Sequence, residues 1–261
     1  MCIRDSNETT DGRSGHLSAG SADGALVMRG SNVCLYTMRS ASQGEDRYVR
    51  VNEYLSARSG SAKARHGESR RVGFQRSSPQ NNFRRIVAAM VEPRSFFFDT
   101  VSYVPESDST LPLETLLALL NSKLLDWYFR LGSTNSKVNE YQFNNLPCPV
   151  FAAQGADADQ ELHGAAIAAI DAAKLDDVFA ILAPALKRPP FAVALQDVLV
   201  ELVQRIMAIE HARGEIARTE RSALAPAAQP LQDLIDRILY AMAGLTPTDV
   251  TGLEGRLATM L

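Results

Sequence analysis

The sequence contains few of the residues that build disulfide frameworks and metal sites. Its 261 residues include three cysteines and four histidines. Cys2, Cys34 and Cys148 lie far apart, no Cys-x-x-Cys pair is present, and the histidines do not cluster. This distribution argues against both a disulfide framework and a zinc site. We therefore expect no metal ligands in this chain, and a reducing compartment, the cytoplasm, as its location.

Long hydrophobic runs are also missing. No apolar run approaches the roughly 20 residues that a membrane-spanning helix needs, and the N-terminus lacks a hydrophobic signal core. The sequence therefore predicts neither a membrane partner nor a secretory signal. Apolar residues still make up 46% of the chain, which is enough for the core of one large or two modest domains.

Charge is distributed unevenly, although the net charge is only -3. Residues 39–85 hold eleven Lys and Arg against four acids, whereas residues 152–261 hold nine against fifteen. This asymmetry favours a local surface for a polyanion within an otherwise acidic protein. Composition also changes near residue 152. We therefore predict an α/β recognition module over residues 25–151, followed by an all-α domain over residues 152–261.

The first third of the chain has weak structural signals. Residues 1–24 are rich in Ser, Gly, Asp and Thr without periodicity, which predicts a disordered leader. Residues 1–6 look like a translated sequencing adaptor, so we expect this leader to be partly artefactual and the chain to be a fragment. Residues 25–36 predict two short strands around a turn at Gly30. Residues 56–68 predict a flexible basic loop.

An amphipathic helix is predicted over residues 114–131, because leucines and aromatics recur there at three- and four-residue steps. Gly132 is placed to end this helix in the left-handed conformation. The polar run at 133–145 follows, with four asparagines, one glutamine and one lysine, and we expect it to form a surface loop. The helix stripe assigns three aromatic residues to the core: Trp127, Tyr128 and Phe129.

A second polar cluster lies upstream, at residues 70–85, and is rich in arginine, serine and asparagine. Two apolar segments follow it, at 86–91 and 96–104. These segments predict buried strands separated by a turn at Pro93. Arginine fits phosphate and the guanine edge, and asparagine pairs both ways with adenine. We therefore select DNA-binding candidates from both polar regions: Arg70, Arg71, Arg76, Asn81, Asn82, Arg84, Arg85, Lys137, Asn139, Tyr141 and Asn144. The alternative for these residues is a solvated basic face and an ordinary polar loop.

The central segment contains a Leu-Asn-Ser core at residues 120–122 and a Phe-Asn-Asn-Leu-Pro ending at residues 143–147. With the strand at residues 85–90, these features resemble the C-terminal specificity region of restriction-modification DNA adenine methyltransferases. The resemblance covers roughly residues 70–150. A partial likeness to the closing helix of the same family lies at residues 234–246. For Asn121 and Ser122 themselves we favour a structural role over DNA contact.

The resemblance implies the target-recognition part of an enzyme that methylates adenine at N6 in a defined site of double-stranded DNA, in some members fused to a nuclease. Such enzymes bind S-adenosylmethionine at a glycine-containing turn and hold the flipped adenine with an Asn/Asp-Pro-Pro-Tyr/Phe motif. The sequence contains neither. The nearest match, residues 188–191, has arginine where a hydrogen-bond acceptor is required, and we interpret it as a linker before a helix. The Glu-x-Lys element of metal-dependent nucleases is also missing.

We therefore expect no catalytic, cofactor-binding or metal-binding residue in this chain. S-adenosylmethionine would be bound by an N-terminal catalytic domain of the parent chain, which becomes a second expected partner besides double-stranded DNA. A competing hypothesis is a non-catalytic interaction or assembly module, with a helical bundle as its working part. Helix-period apolar positions predict four or five helices in that C-terminal part, over residues 157–173, 176–186, 191–221, 231–243 and 248–260.

Overall fold

The computed structural model describes residues 15, 17–19, 24–40, 46–153 and 157–260. Over these ranges the protein combines two small sheets with helices, and its C-terminal part is helical. The predicted class, an α/β portion followed by a helical portion, is confirmed. Most of the predicted leader lies outside the described residues. Leu17–Ser18 forms a short strand, so the prediction of disorder is wrong for that pair.

The strands of the described residues are β1 Leu17–Ser18, β2 Ala25–Met28, β3 Tyr48–Val49, β4 Arg71–Gln75, β5 Ala88–Val91, β6 Phe96–Phe97 and β7 Val101–Pro105. One sheet has the order β1-β3-β2-β6, with β2 and β6 parallel. The other has the order β5-β4-β7 and is antiparallel. The predicted strands on either side of Pro93 are confirmed, although the second is divided into β6 and β7.

Gly73 lies at the centre of β4, opposite Ala89 of β5 and Tyr103 of β7. A Cβ at this position would come within 2.9 Å of Val91 Cγ2. The close packing of the three strands therefore requires glycine here.

The α-helices in the described part of the chain are α1 Val51–Ala57, α2 Ala62–Gly67, α3 Leu113–Leu120, α4 Lys123–Gly132, α5 Glu140–Asn144, α6 Asp157–Asp171, α7 Leu175–Leu182, α8 Val193–Arg213, α9 Gln229–Met242 and α10 Pro247–Met260. The last five confirm the helices predicted for the C-terminal part. The long helix α8 ends earlier than predicted because Gly214, with a φ of 68°, turns the chain after Arg213. Within the described ranges, no helix is long and apolar enough to cross a membrane.

The prediction of a flexible loop at residues 56–68 is wrong. Helix α1 extends into this region and α2 fills its second half. Ser61 caps α2, since its side chain accepts a hydrogen bond from the N–H of Ala64 at 3.2 Å. The serines and glycines that suggested a loop therefore include a capping residue of a short helix.

The prediction of one continuous helix over residues 114–131 is also wrong, because the helix is interrupted between α3 and α4. Asn121 ends α3 and exchanges two hydrogen bonds with the backbone of Ala88, accepting at 3.0 Å and donating at 2.9 Å. Ser122 then caps α4 by accepting from the N–H of Leu125 at 3.1 Å. The structural roles expected for Asn121 and Ser122 are confirmed. Gly132 belongs to the last turn of α4 and does not adopt a positive φ.

One hydrophobic core extends from the β5-β4-β7 sheet into the C-terminal helices. Helix α3 lies at its centre, packed against both β5 and α8. Of the aromatics predicted for the core, Phe129 is buried and Trp127 is partly buried. Tyr128 is 45% exposed, so its assignment to the core is wrong. The division at residue 152 stays a prediction, because packing continues across it.

Candidate nucleic-acid interface

Two segments that the sequence singled out separately pair with each other in the structure. Val138 donates a backbone hydrogen bond to the carbonyl of Arg76 at 2.8 Å, and Ser78 donates to the carbonyl of Ser136 at 2.8 Å. Ser77 and Lys137 lie between these bonds in an antiparallel bridge. We call residues 76–78 and 136–138 the ribbon. It continues from the end of β4 and joins the arginine-rich segment to the amide-rich run.

Helix α4 holds the loop that leaves the ribbon, residues 79–85. Arg130 donates to the carbonyls of Gln80 and Asn82, each at 2.8 Å. The buried carboxylate of Asp126 orients Arg130 through a 3.0 Å bond, and it also accepts from the N–H of Arg85. Asp126 and Arg130 were not among the sequence candidates. Their spacing of four residues on a helix, with opposite charge, is the signal that identifies them.

Arg85 supports the ribbon from the protein interior and does not face solvent. Its side chain is fully buried and donates to the Ser133 hydroxyl at 3.2 Å and to the carbonyl of Asn135 at 2.6 Å. Burial, together with the nearby charge of Arg130, lowers the pKa of Arg85 from its ordinary value. This placement corrects the assignment of Arg85 as a DNA contact, because its donors are used inside the protein.

Arg70 and Arg71 lie at the opposite end of β4 from the ribbon. Arg71 is fully buried, donates to the carbonyl of Ser95 and lies over the rings of Phe97 and Tyr103. This placement corrects its assignment as a DNA contact. Arg70 is partly exposed and forms an ion pair with Glu114. Neither residue is brought near the ribbon by the structure, because β4 separates them from it.

The remaining candidates of the 70–85 segment lie at or beside the ribbon. Arg76 is half-buried and donates to the backbone carbonyl of Asp99 at 3.3 Å. The side-chain carboxylate of Asp99 lies 3.9 Å from the Arg76 guanidinium. Asn81 is exposed and Asn82 is half-buried on the following loop. Arg84 is also half-buried, and its guanidinium lies 3.7 Å from Asp126. Lys137 is exposed on the other strand of the ribbon.

Helix α5 follows the ribbon and is fixed by one aromatic contact. The ring of Phe143 stacks on that of Phe74, with centroids 4.3 Å apart and an interplanar angle of 3°. Because Phe143 anchors the buried side of α5, Tyr141 and Asn144 are left exposed, and Tyr141 is 64% exposed. Asn139 precedes the helix and is half-buried. The predicted loop at 133–145 therefore contains a ribbon strand and a short helix.

The chain was compared with known proteins by sequence and by structure. Among solved structures, the chain is similar to the Type IIL restriction-modification enzyme MmeI in complex with DNA, with a TM-score of 0.47. The two share 9% sequence identity, and the alignment covers 99% of this chain and 33% of the MmeI chain. The chain thus spans about a third of the length of that enzyme. No protein-family model and no curated protein matches the chain.

Residues 188–191, the nearest match to an adenine-holding motif, have a structural role. The backbone of Phe191 exchanges hydrogen bonds with Val150 and Ala152, both at 2.8 Å, and its ring packs beside Phe151. The segment precedes α8, as expected for a linker. The Phe191 ring is buried, which fits the structural role of this segment. Within the described ranges, no group of three or more His, Cys, Asp or Glu is arranged to hold a metal ion.

Proposed function

We propose that this chain is the sequence-specific DNA-recognition part of a site-specific adenine DNA methyltransferase of a restriction-modification system. The observation that carries the proposal is the ribbon. It joins two segments whose side chains suit phosphates and base edges, and it does so at one end of a rigid sheet. Rigid support is what base reading requires, because a misplaced side chain loses its hydrogen bond.

In this proposal the exposed and half-buried side chains at the ribbon and on α5 have different roles. Lys137 neutralises a phosphate, and Arg76 adds positive charge that Asp99 partly offsets. Asn81, Asn82 and Asn144 offer amides to base edges or backbone. Residues 25–151 would form the recognition module, and the acidic helices of residues 152–261 would pack behind it.

The reaction itself would belong to a catalytic domain of the parent chain. S-adenosylmethionine, when bound there, would supply the methyl group that is transferred to adenine N6. The residues of this chain would select the site and hold the duplex in register. This division of labour agrees with the lack of an Asn-Pro-Pro-Tyr motif in the sequence.

The proposal is tested by fluorescence anisotropy with labelled duplex DNA over a series of salt concentrations. We expect the chain to bind weakly, with affinity that falls steeply as salt rises. We also expect no methyl transfer when S-adenosylmethionine is supplied. Affinity that does not change with salt would instead favour the interaction-module hypothesis.

A further inference from the structure

We propose that a groove next to the ribbon, containing Arg29 and Arg221, is a second DNA-contact site that binds backbone phosphates of the same duplex. We call it the arginine groove. This inference rests on the proposed function and extends it. It adds two segments, one before β4 and one after α8, that the sequence did not associate with DNA.

The position of the arginine groove is the first argument. The groove has a volume of about 580 Å³ and is bordered by Ser77 of the ribbon and by Pro79, Asn82 and Phe83 of the adjoining loop. Its other wall comes from residues 29–31 and 221–222. A duplex whose bases were read at the ribbon would place flanking phosphates beside these residues, because the base edges at the floor of each DNA groove are bordered on both sides by phosphate backbones.

The chemistry of the lining is the second argument. Among the described residues, two arginines and no acidic side chain border the groove. The neutral polar ones are hydroxyls and amides, which bind phosphate and sugar in protein–DNA interfaces: Ser31, Gln75, Ser77, Asn82, Thr100 and Ser222. Within the described part of the chain, Glu215 is the acid that pairs with Arg221, and its carboxylate is 4.0 Å away and half exposed.

Both arginines are held in place before any ligand binds. Arg221 donates to the carbonyl of Ser31 at 2.7 Å, and its side chain is only 10% exposed. The guanidinium carbon of Arg29 lies 4.7 Å from the centre of the Phe98 ring. These contacts fix the positive charge at the groove while exposed hydroxyls such as Ser222 remain at its edge. A preorganised site loses little conformational entropy when it binds an anion.

The direct test places a negative charge at the groove edge without removing a structural contact of either arginine. Ser222→Glu does so at an exposed position. The matched control is Ser107→Glu, also exposed, in the turn after β7 at the end of the sheet away from the ribbon. Urea denaturation of each variant checks that the fold is retained.

We expect Ser222→Glu to weaken binding of a labelled duplex about tenfold at low salt, with the difference shrinking as salt rises. Ser107→Glu should bind as the unmodified chain does. Arg29→Gln should lower the slope of affinity against salt, because one positive charge is lost.

Equal affinities of the Ser222→Glu and Ser107→Glu variants would overturn the groove proposal. If Lys137→Gln weakens binding in the same experiment while Ser222→Glu does not, the ribbon function stands and the groove alone fails. If the unmodified chain does not bind duplex DNA, the proposed function fails and the groove proposal fails with it.

Discussion

The backbone N–H of Val138 donates a 2.8 Å hydrogen bond to the carbonyl oxygen of Arg76. This bond joins the amide-rich run after α4 to the arginine-rich segment after β4. Asp126 and Arg130 of α4 hold the loop that follows the ribbon, so the ribbon is fixed by its own backbone bonds and by this helix. A small set of exposed side chains is therefore presented from a fixed backbone, and the predictions below follow from that arrangement.

Replacing Lys137 with Gln should weaken duplex binding several-fold at low salt and reduce the slope of log affinity against log salt by about one. The physical reason is the loss of one neutralised phosphate and its released counterion. Anisotropy titrations at several salt concentrations measure both quantities. Lys174→Gln, an exposed lysine of the acidic helical part, is the control and should change neither. An unchanged slope for Lys137→Gln would show that this lysine does not contact phosphate.

Replacing Asn81 with Ala should alter base preference more than overall affinity. An exposed amide that pairs with a base edge discriminates by about 1–3 kcal/mol against the wrong base. Selection from a randomised duplex library, compared between variant and unmodified chain, reports this directly. A uniform loss across all sequences would instead assign Asn81 to the DNA backbone.

Replacing Arg85 with Gln should reduce stability, because the variant loses the buried bonds to Ser133 and Asn135. We expect the free energy of unfolding to fall by about 2–4 kcal/mol, measured by urea denaturation. Arg237→Gln, which removes a more exposed ion pair with Asp176, should cost under about 1 kcal/mol. If Arg85→Gln kept full stability but lost the salt dependence of binding, Arg85 would be a DNA contact after all.

Asp236 gives the fold a pH dependence. Burial raises the pKa of Asp236 to about 6 from an ordinary 3.8, although Arg84 and the N–H of Lys123 stabilise its ionised form. Below about pH 4 the carboxyl is protonated in both states. Between about pH 4 and 6 the Asp236 carboxyl is ionised in the unfolded chain but still protonated in the folded one, so the free energy of unfolding falls as the pH rises. Above pH 6 the carboxyl is ionised in both states, and its burial lowers the stability of the fold by about 3 kcal/mol.

Asp236→Asn should therefore be more stable than the unmodified chain at pH 7.5, with the advantage disappearing as the pH falls from 6 to 4. The amide oxygen can still accept from Lys123 N–H, which Asp236 now does at 2.8 Å. Urea denaturation of both proteins at pH 4.5, 6 and 7.5 measures the difference. A difference that is constant across this range would contradict the pKa assignment.

The sequence predicted the elements well where apolar residues repeat with helical period, as in α6 to α10. It failed at α3 and α4, because Asn121 lies on a stripe that looks continuous, although its bonds to Ala88 and the Ser122 cap end one helix and begin the next. A side chain that pairs with a strand backbone more than thirty residues away leaves no local signal. The loop prediction for residues 56–68 failed for a different, local reason, because Ser61 caps a short helix.

The candidate site was predicted at the level of segments and less well at the level of residues. Arg84 and Arg85 are neighbours with the same chemistry, yet one is half-buried and the other is fully buried. What separates them is the position of Ser133 and Asn135, which bind the Arg85 side chain and which only tertiary contacts bring there. Arg221 lies in an acidic segment, so composition could not associate it with DNA.

The central claim is that the ribbon binds duplex DNA, and one measurement tests it most directly. Anisotropy titration of a labelled duplex compares the unmodified chain with the Arg76→Gln, Lys137→Gln double variant over a range of salt. We predict weak, steeply salt-dependent binding for the unmodified chain, and a reduction of the salt slope by about two for the double variant. Identical affinities and slopes for the two proteins would contradict the claim.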